Sequence, residues 1–178
     1  MSVEDDFDIR ARLGVDPPCY VRKVKRATSC GKPEDPPEVR VPFVQQNVLT
    51  EDGGVLSVFY VSSGLDLIRA AVAINRERSR REDHVEDQFL LALTLTELEG
   101  VEKHRTEDGF PCHWARKNHW NVTLQVADQA RIANTVANRD GFPGKFTRSK
   151  MGPARELMRE HGCRSVQVNS ASCVCERP

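Results

Sequence analysis

Apolar residues are concentrated in a few short runs of the chain, each about as long as a β-strand. Residues 55–61 (VLSVFYV) and 89–95 (FLLALTL) are almost continuously apolar, which is typical of strands covered on both faces. Residues 120–126 (WNVTLQV) and 163–169 (CRSVQVN) alternate apolar and polar positions, which indicates strands with one buried face. Residues 39–44 (VRVPFV) also alternate, but the proline among them predicts an edge strand.

Helical spacing and end signals predict helices between these strands. Ser63 and Asp66 form a capping-box pair, and apolar residues recur behind them at helical spacing. Residues 127–139 carry an apolar helical stripe. Residues 152–162 begin and end with glycine and have a proline in the first turn, so they predict a third helix.

The order of these elements predicts an α+β fold. We expect two layers, with a mainly antiparallel sheet of four to five strands and helices on one face. The order corresponds to the split β-α-β-β-α-β, or ferredoxin-like, arrangement. That arrangement occurs in proteins with many unrelated functions, so the fold class alone indicates none.

The beginning of the chain lacks the periodic apolar positions of the rest. Residues 1–38 are predicted to be an extended, proline-containing arm, and residues 39–178 a single α+β domain. A short edge strand within PPCYVRKVKR is the one apolar stretch of the arm. Such a segment becomes ordered by docking on another surface. We therefore expect Cys19, Tyr20 and Val21 to contact a protein partner or a second copy of the chain.

Composition is that of a soluble globular protein. Of the 178 residues, 39% are hydrophobic and 29% are charged. No apolar run approaches the 18 residues or so of a transmembrane helix, so no membrane association is expected. The acidic start MSVEDDFDIR differs from a secretory signal, which predicts a cytoplasmic protein whose six cysteines stay reduced.

Charge is balanced overall but not along the chain. The first 100 residues carry 13 Lys and Arg against 18 Asp and Glu, and the rest carry 13 against 8. This asymmetry favours either an acidic partner for the second half or contact between the two halves.

No catalytic signature accompanies these features. The chain has neither the G-x-S-x-G of a serine hydrolase nor the H-E-x-x-H of a zinc protease. The first hypothesis is therefore a non-enzymatic binding or assembly subunit whose N-terminal arm docks on a protein partner. We expect no cofactor, apart from zinc under a third hypothesis given below.

A single-stranded nucleic-acid (RNA) binding domain is the second hypothesis. Two tryptophans flank two basic residues in a short segment, so bases would stack there while phosphates are neutralised. A glycine-rich loop ahead of a predicted helix adds three more basic residues. The complete set is Trp114, Arg116, Lys117, Trp120, Lys145, Arg148 and Lys150.

Zinc binding is the third hypothesis, either in a zinc-stabilised domain or in a hydrolase. His161, Cys163, Cys173 and Cys175 have the number and type of ligands that a tetrahedral zinc site uses. Their Cys-x-Cys spacing is not that of the usual zinc knuckle, so thiols packed around a helix end and a last strand remain the alternative.

A second His/Cys cluster lies in the polar connection before residue 120. Three imidazoles and a thiol would hold a zinc ion with one open position, and a neighbouring carboxylate would act as general base. The spacing matches no known signature, and a solvent-exposed polar loop is the alternative. The residues are His104, Cys112, His113 and His119, with Glu107 or Asp108 as the base.

Overall fold

The computed structural model describes residues 8–24, 30–32, 34–78, 88–106, 113–140 and 142–146. These residues form a six-stranded sheet and five α-helices. The strands are β1 (Cys19–Val24), β2 (Val55–Val61), β3 (Gln88–Thr94), β4 (Glu102–Arg105), β5 (His119–Thr123) and β6 (Gly144–Phe146). The helices are α1 (Ile9–Leu13), α2 (Pro37–Val44), α3 (Gly64–Arg78), α4 (His113–Asn118) and α5 (Val126–Ala137).

The strands run in the order β4-β5-β2-β1-β3-β6 across the sheet, and every neighbouring pair is antiparallel. The α+β class and the antiparallel sheet are therefore confirmed. The predicted count of four to five strands and the ferredoxin-like order are not, because the described residues form six strands in a different order. Strands β1, β4 and β6 were not among the strands predicted for the domain, and residues 39–44, which were, lie in a helix.

Strand β1 lies at the centre of the sheet. Tyr20 pairs with Tyr60 of β2 on one side and with Leu93 of β3 on the other. The prediction of an edge strand is wrong, and so is the extended arm for the part of residues 1–38 that forms β1. The strand itself was predicted, but its central position was not, because Arg22 interrupts its apolar positions although Arg22 is itself buried.

Helices cover both faces of the sheet, so the fold has three layers instead of the predicted two. Helices α1, α3 and α4 pack on one face and form the first core with Val21, Phe59 and Leu90. Helices α2 and α5 pack on the other face and form the second core with Leu56, Leu91 and other strand residues. A sheet with two covered faces explains the nearly continuous apolar runs of β2 and β3.

Residues 39–44, predicted as an edge strand, belong to helix α2. Pro37 occupies the first turn, where backbone N–H groups have no acceptor within the helix, so the N–H that proline lacks is not needed. Pro42 lies inside the helix on its exposed side. The helix continues into a π-helical segment (Gln45–Leu49) whose Val48 is buried in the second core.

The predictions for residues after 119 are confirmed only in part. The run predicted as a strand over 120–126 ends at Thr123, and Val126 begins α5 with 73% of its surface exposed. The predicted helix over 152–162 and strand over 163–169 lie outside the described residues. Among the helices that are described, none has the length and apolar character needed to cross a membrane.

A buried ion pair ties the turn after β3 to the end of α5. Arg139 Nη2 lies 2.5 Å from Glu97 Oε1, and each side chain is 9% exposed. Arg139 Nη1 donates to the carbonyl of Ala92 in β3. Glu97 Oε2 accepts from the backbone N–H of Thr94. Both charges are thus hydrogen-bonded as well as paired, which is the condition under which buried ions are tolerated.

Candidate functional site

The residues expected to contact a partner lie inside the protein. Cys19 and Val21 are 0% exposed and pack in the first core, while Tyr20 is 6% exposed and packs in the second. Burial raises the pKa of the Cys19 thiol to about 12, so this thiol stays protonated and unreactive. These three side chains are covered by the chain's own helices, and a docking surface has to be sought elsewhere.

The two tryptophans of the nucleic-acid hypothesis lie on opposite faces of the sheet. Trp114 is buried in the first core, where its Nε1 donates to Asp66 Oδ1 at 2.9 Å and its ring stacks on Phe59. Trp120 packs against the second core, with its ring 6.3 Å from that of Tyr20. The described geometry therefore gives the two rings no common stacking surface.

The basic residues of that hypothesis are also dispersed. Arg116 and Lys117 lie on α4, and Lys145 lies on β6 with its ammonium 5.9 Å from the ring centre of Phe89. Arg148 and Lys150 are outside the described residues.

The zinc-binding residues can be placed only in part. The tail set of His161, Cys163, Cys173 and Cys175 lies outside the described residues, as does Cys112. Glu107 and Asp108 lie outside them too, and His113 is placed only as the first residue of α4. Throughout the described segments, no group of three His, Cys, Asp or Glu side chains could hold a metal ion.

Helix α2 has apolar side chains on its outer face as well as its inner one. Val39 and Phe43, four residues apart, are 42% and 43% exposed, and Pro42 is exposed beside them. On the inner side, Val44 is buried, and Arg40 donates from Nη2 to the carbonyl of Phe142 at 3.0 Å. These contacts fix the helix on the core, so the outer apolar residues are held in place. Val39, Pro42 and Phe43 are hereafter called the α2 outer face.

The start of α2 is acidic. Glu34 and Glu38 are both exposed, one just before the helix and one in its first turn. Glu38 directly precedes Val39, so a negative charge borders the α2 outer face. Acidic groups also suit the positive end of the helix dipole.

A second candidate surface lies on the first-core side of the sheet, where strands β4, β5 and β2 are adjacent. His119 of β5 is buried, with both ring nitrogens next to hydroxyl groups. Its Nε2 lies 2.5 Å from Ser57 Oγ, and its Nδ1 lies 2.5 Å from Thr106 Oγ1. Ser57 is exposed, so one end of this hydrogen-bonded chain faces solvent.

The topology explains why these three residues meet. Strand β5 lies between β4 and β2, and His119 pairs with Phe59, two residues after Ser57 on the same face of β2. Thr106 directly follows β4, and its backbone N–H donates to the carbonyl of His119 at 3.0 Å. Ser57 itself pairs with Asn121. The three strands therefore present hydroxyl, imidazole and amide groups on one surface.

The surroundings of His119 favour its neutral form. Burial lowers the pKa of His119 below its usual value, and a hydrogen bond with the backbone of Thr106 opposes this shift. A neutral imidazole has one N–H, so it donates to one of the two hydroxyls and accepts from the other.

This pKa shift predicts a pH dependence of stability. Because the folded-state pKa of His119 lies below the unfolded value of about 6.5, the unfolded chain binds the proton more readily. The contribution of neutral His119 to the free energy of unfolding is thus complete above about pH 6.5 and is lost as pH falls toward the folded-state pKa. We expect urea midpoints to fall more between pH 7.5 and 5.5 for the wild type than for His119→Gln. Equal falls would contradict the prediction.

The sequence contained signals for part of these surfaces. Ser57 interrupts the apolar run of β2, which sets it apart as a polar residue in an otherwise covered strand. The partners of His119 are distant in sequence, and only strand pairing brings them together. No signal showed that Val39 and Phe43 face outward, since their alternation suggested a strand.

Comparison with protein-family models, with curated proteins and with solved structures gave no match for this chain.

Proposed function

We propose that the protein is a binding or assembly subunit that contacts a protein partner through the α2 outer face. The observation that carries the proposal is the exposure of Val39 and Phe43 on one side of a helix whose other side is anchored in the second core. The first hypothesis from the sequence is kept in its general form. Its contact residues move from Cys19, Tyr20 and Val21 to helix α2.

Apolar and aromatic side chains at the centre of a contact supply most of its binding energy. Complete burial of a Phe side chain is worth about 1.5–3 kcal/mol, and Phe43 still has 43% of its surface to bury. Pro42 adds apolar surface without a flexible side chain to immobilise. Phe43 is accordingly the expected anchor, with Val39 beside it.

The acidic residue beside the α2 outer face indicates the chemistry of the partner. Glu38, next to Val39 in the first turn of α2, would face a partner that has Lys or Arg around an apolar groove. Two copies of this face would bring like charges together, so a different protein is a better occupant than a second copy.

Site-directed photocrosslinking tests the proposal. With p-benzoylphenylalanine in place of Phe43 in the full chain, we expect a crosslink to another protein in the cells that produce it. The matched control carries the same residue in place of Val126, which is 73% exposed on α5. Glu38→Lys reverses a charge at the rim and should weaken the crosslink from position 43 at least severalfold.

Three results would contradict the proposal. The first is the absence of a crosslink from position 43, and the second is the same crosslinked species from positions 43 and 126. The third is a product of twice the chain's mass, because it would identify a second copy as the occupant.

A further inference from the structure

We propose that Ser57 is a nucleophile activated by His119, with an ester or another acyl donor as its substrate. This inference is independent of the proposed function, since Ser57 lies on the first-core side of the sheet and α2 covers the other side. It begins from the exposed residue Ser57, whose Oγ lies 2.5 Å from the Nε2 atom of His119.

An activated serine needs a base whose unprotonated nitrogen accepts from the hydroxyl. Thr106 Oγ1 lies 2.5 Å from the other ring nitrogen, Nδ1. In the tautomer that the proposal requires, the proton is on Nδ1 and is donated to Thr106, while Nε2 accepts from Ser57. The backbone hydrogen bond from Thr106 to the carbonyl of His119 holds this threonine in place. Thr106 is thus a positioning residue, in the place that a carboxylate takes in a catalytic triad.

The base must also be neutral and held in a fixed orientation. His119 is 7% exposed, and its ring lies 5.2 Å from the ring of Phe59, which packs in the first core. This packing limits ring rotation and excludes water from most of the imidazole. His104 on the neighbouring strand differs, because it is exposed and hydrogen-bonded to Glu102.

The chemistry is then an acyl transfer. Ser57 Oγ attacks the carbonyl carbon of the donor and forms an O–C bond, while its proton passes to His119 Nε2. The bond to the leaving alcohol breaks, and the alcohol departs with that proton. Water then attacks the acyl-serine, loses a proton to Nε2, and releases the acid as Ser57 Oγ recovers the proton.

Asn121 is the candidate for stabilising the oxyanion formed in these steps. It pairs directly with Ser57 across β2 and β5, so both side chains lie on the same face of the sheet. Its carboxamide NH₂ is a donor of the kind that oxyanion sites use.

Covalent labelling with a fluorophosphonate probe tests the proposal on the full chain. Ser57 Oγ would form a bond to phosphorus, fluoride would leave, and the Ser57 proton would pass to His119. We expect one probe per chain in intact-mass spectra, and peptide mapping should place it on Ser57. Ser57→Ala should abolish this label, and His119→Gln should slow it by about 100-fold or more.

Two matched controls should label at the wild-type rate. Ser62→Ala removes another exposed serine, whose Oγ donates to Asp66 Oδ2 at 2.6 Å and not to an imidazole. His104→Gln removes an exposed histidine of the same sheet face. Thr106→Val should slow labelling of Ser57, and Thr106→Ser should restore it, because the hydroxyl and not the methyl group positions His119.

If the His119→Gln variant does not fold, a further measurement still tests the proposal. Ser57→Cys places a thiol next to His119, and iodoacetamide should alkylate it about 10-fold faster at pH 7 than it alkylates free cysteine. Absence of label on Ser57 in the folded wild type would overturn the proposal. Equal labelling of a folded His119→Gln variant would do the same, as would alkylation of Ser57→Cys no faster than free cysteine.

Discussion

Deletion of residues 1–24 is expected to unfold the protein. The deletion removes β1, which pairs with β2 on one side and along its whole length with β3 on the other. The remaining strands would lose the link between the two halves of the sheet and expose residues of both cores. The loss exceeds the total stability of about 5–15 kcal/mol that a domain has. Far-UV circular dichroism and thermal unfolding of the truncated chain would show it.

A point substitution separates this prediction from a general effect of shortening the chain. Val21 is 0% exposed in the middle of β1, so Val21→Asp places a carboxylate in the first core. We expect a loss of more than about 4 kcal/mol in the free energy of unfolding. Val126→Asp makes the same chemical change at a site that is 73% exposed, and it should cost little. Cooperative unfolding of the truncated chain at the wild-type temperature would contradict the central position of β1.

Arg139→Met is expected to lower the free energy of unfolding by about 3–5 kcal/mol. The substitution leaves the Glu97 carboxylate buried without its partner, and it removes the hydrogen bond to Ala92. The Glu97 side chain is only 9% exposed, so its unpaired charge would be poorly solvated. The free-energy cost of this unpaired charge is larger than the net stabilisation that the intact pair provides. Urea unfolding of the variant and the wild type at pH 7 measures the difference.

Two further variants test whether this loss of stability comes from the unpaired buried charge. The double variant Glu97→Leu with Arg139→Met removes both charges, so it should recover most of the stability lost in the single variant. Arg10→Met breaks a pair with Asp16 whose side chains are 76% and 69% exposed, and it should change stability by less than about 1 kcal/mol. Equal losses for Arg10→Met and Arg139→Met would show that burial does not strengthen the Arg139 pair.

Local patterns of the sequence predicted several of the strands and helices. The runs of β2, β3 and β5 were recognised as strands, and the capping pair of Ser63 and Asp66 marked the start of α3. These elements have strong local signals because each buries side chains at a regular spacing. The α+β class followed from them.

The elements that were missed or misplaced depend on contacts distant in sequence. Strand β1 carries Arg22 and Lys23 side by side, and its central position depends on pairing with two strands that are distant in sequence. Helix α2 contains three apolar residues at alternating positions, and packing against α5 decides its conformation. The second layer of helices could not be predicted, since a continuous apolar run indicates two covered faces but not what covers them.

The candidate sites could likewise be predicted from the sequence only in part. His119 was named from the sequence, but as a zinc ligand, because the histidines around it are close along the chain. Its hydrogen-bond partners Ser57 and Thr106 come from two other parts of the chain, so their role required the register of β2, β4 and β5. The exposure of Phe43 likewise depends on which side of α2 faces the sheet.

Among the strands that the structure describes, β4 ends the sheet on one side with the sequence Glu-Lys-His-Arg. An edge strand leaves backbone donors and acceptors ready to pair with any extended chain, which is how many proteins begin to aggregate. Adding a second strand here would require desolvating charged side chains on both of its faces. The charges on this edge therefore oppose the addition of a strand from another chain.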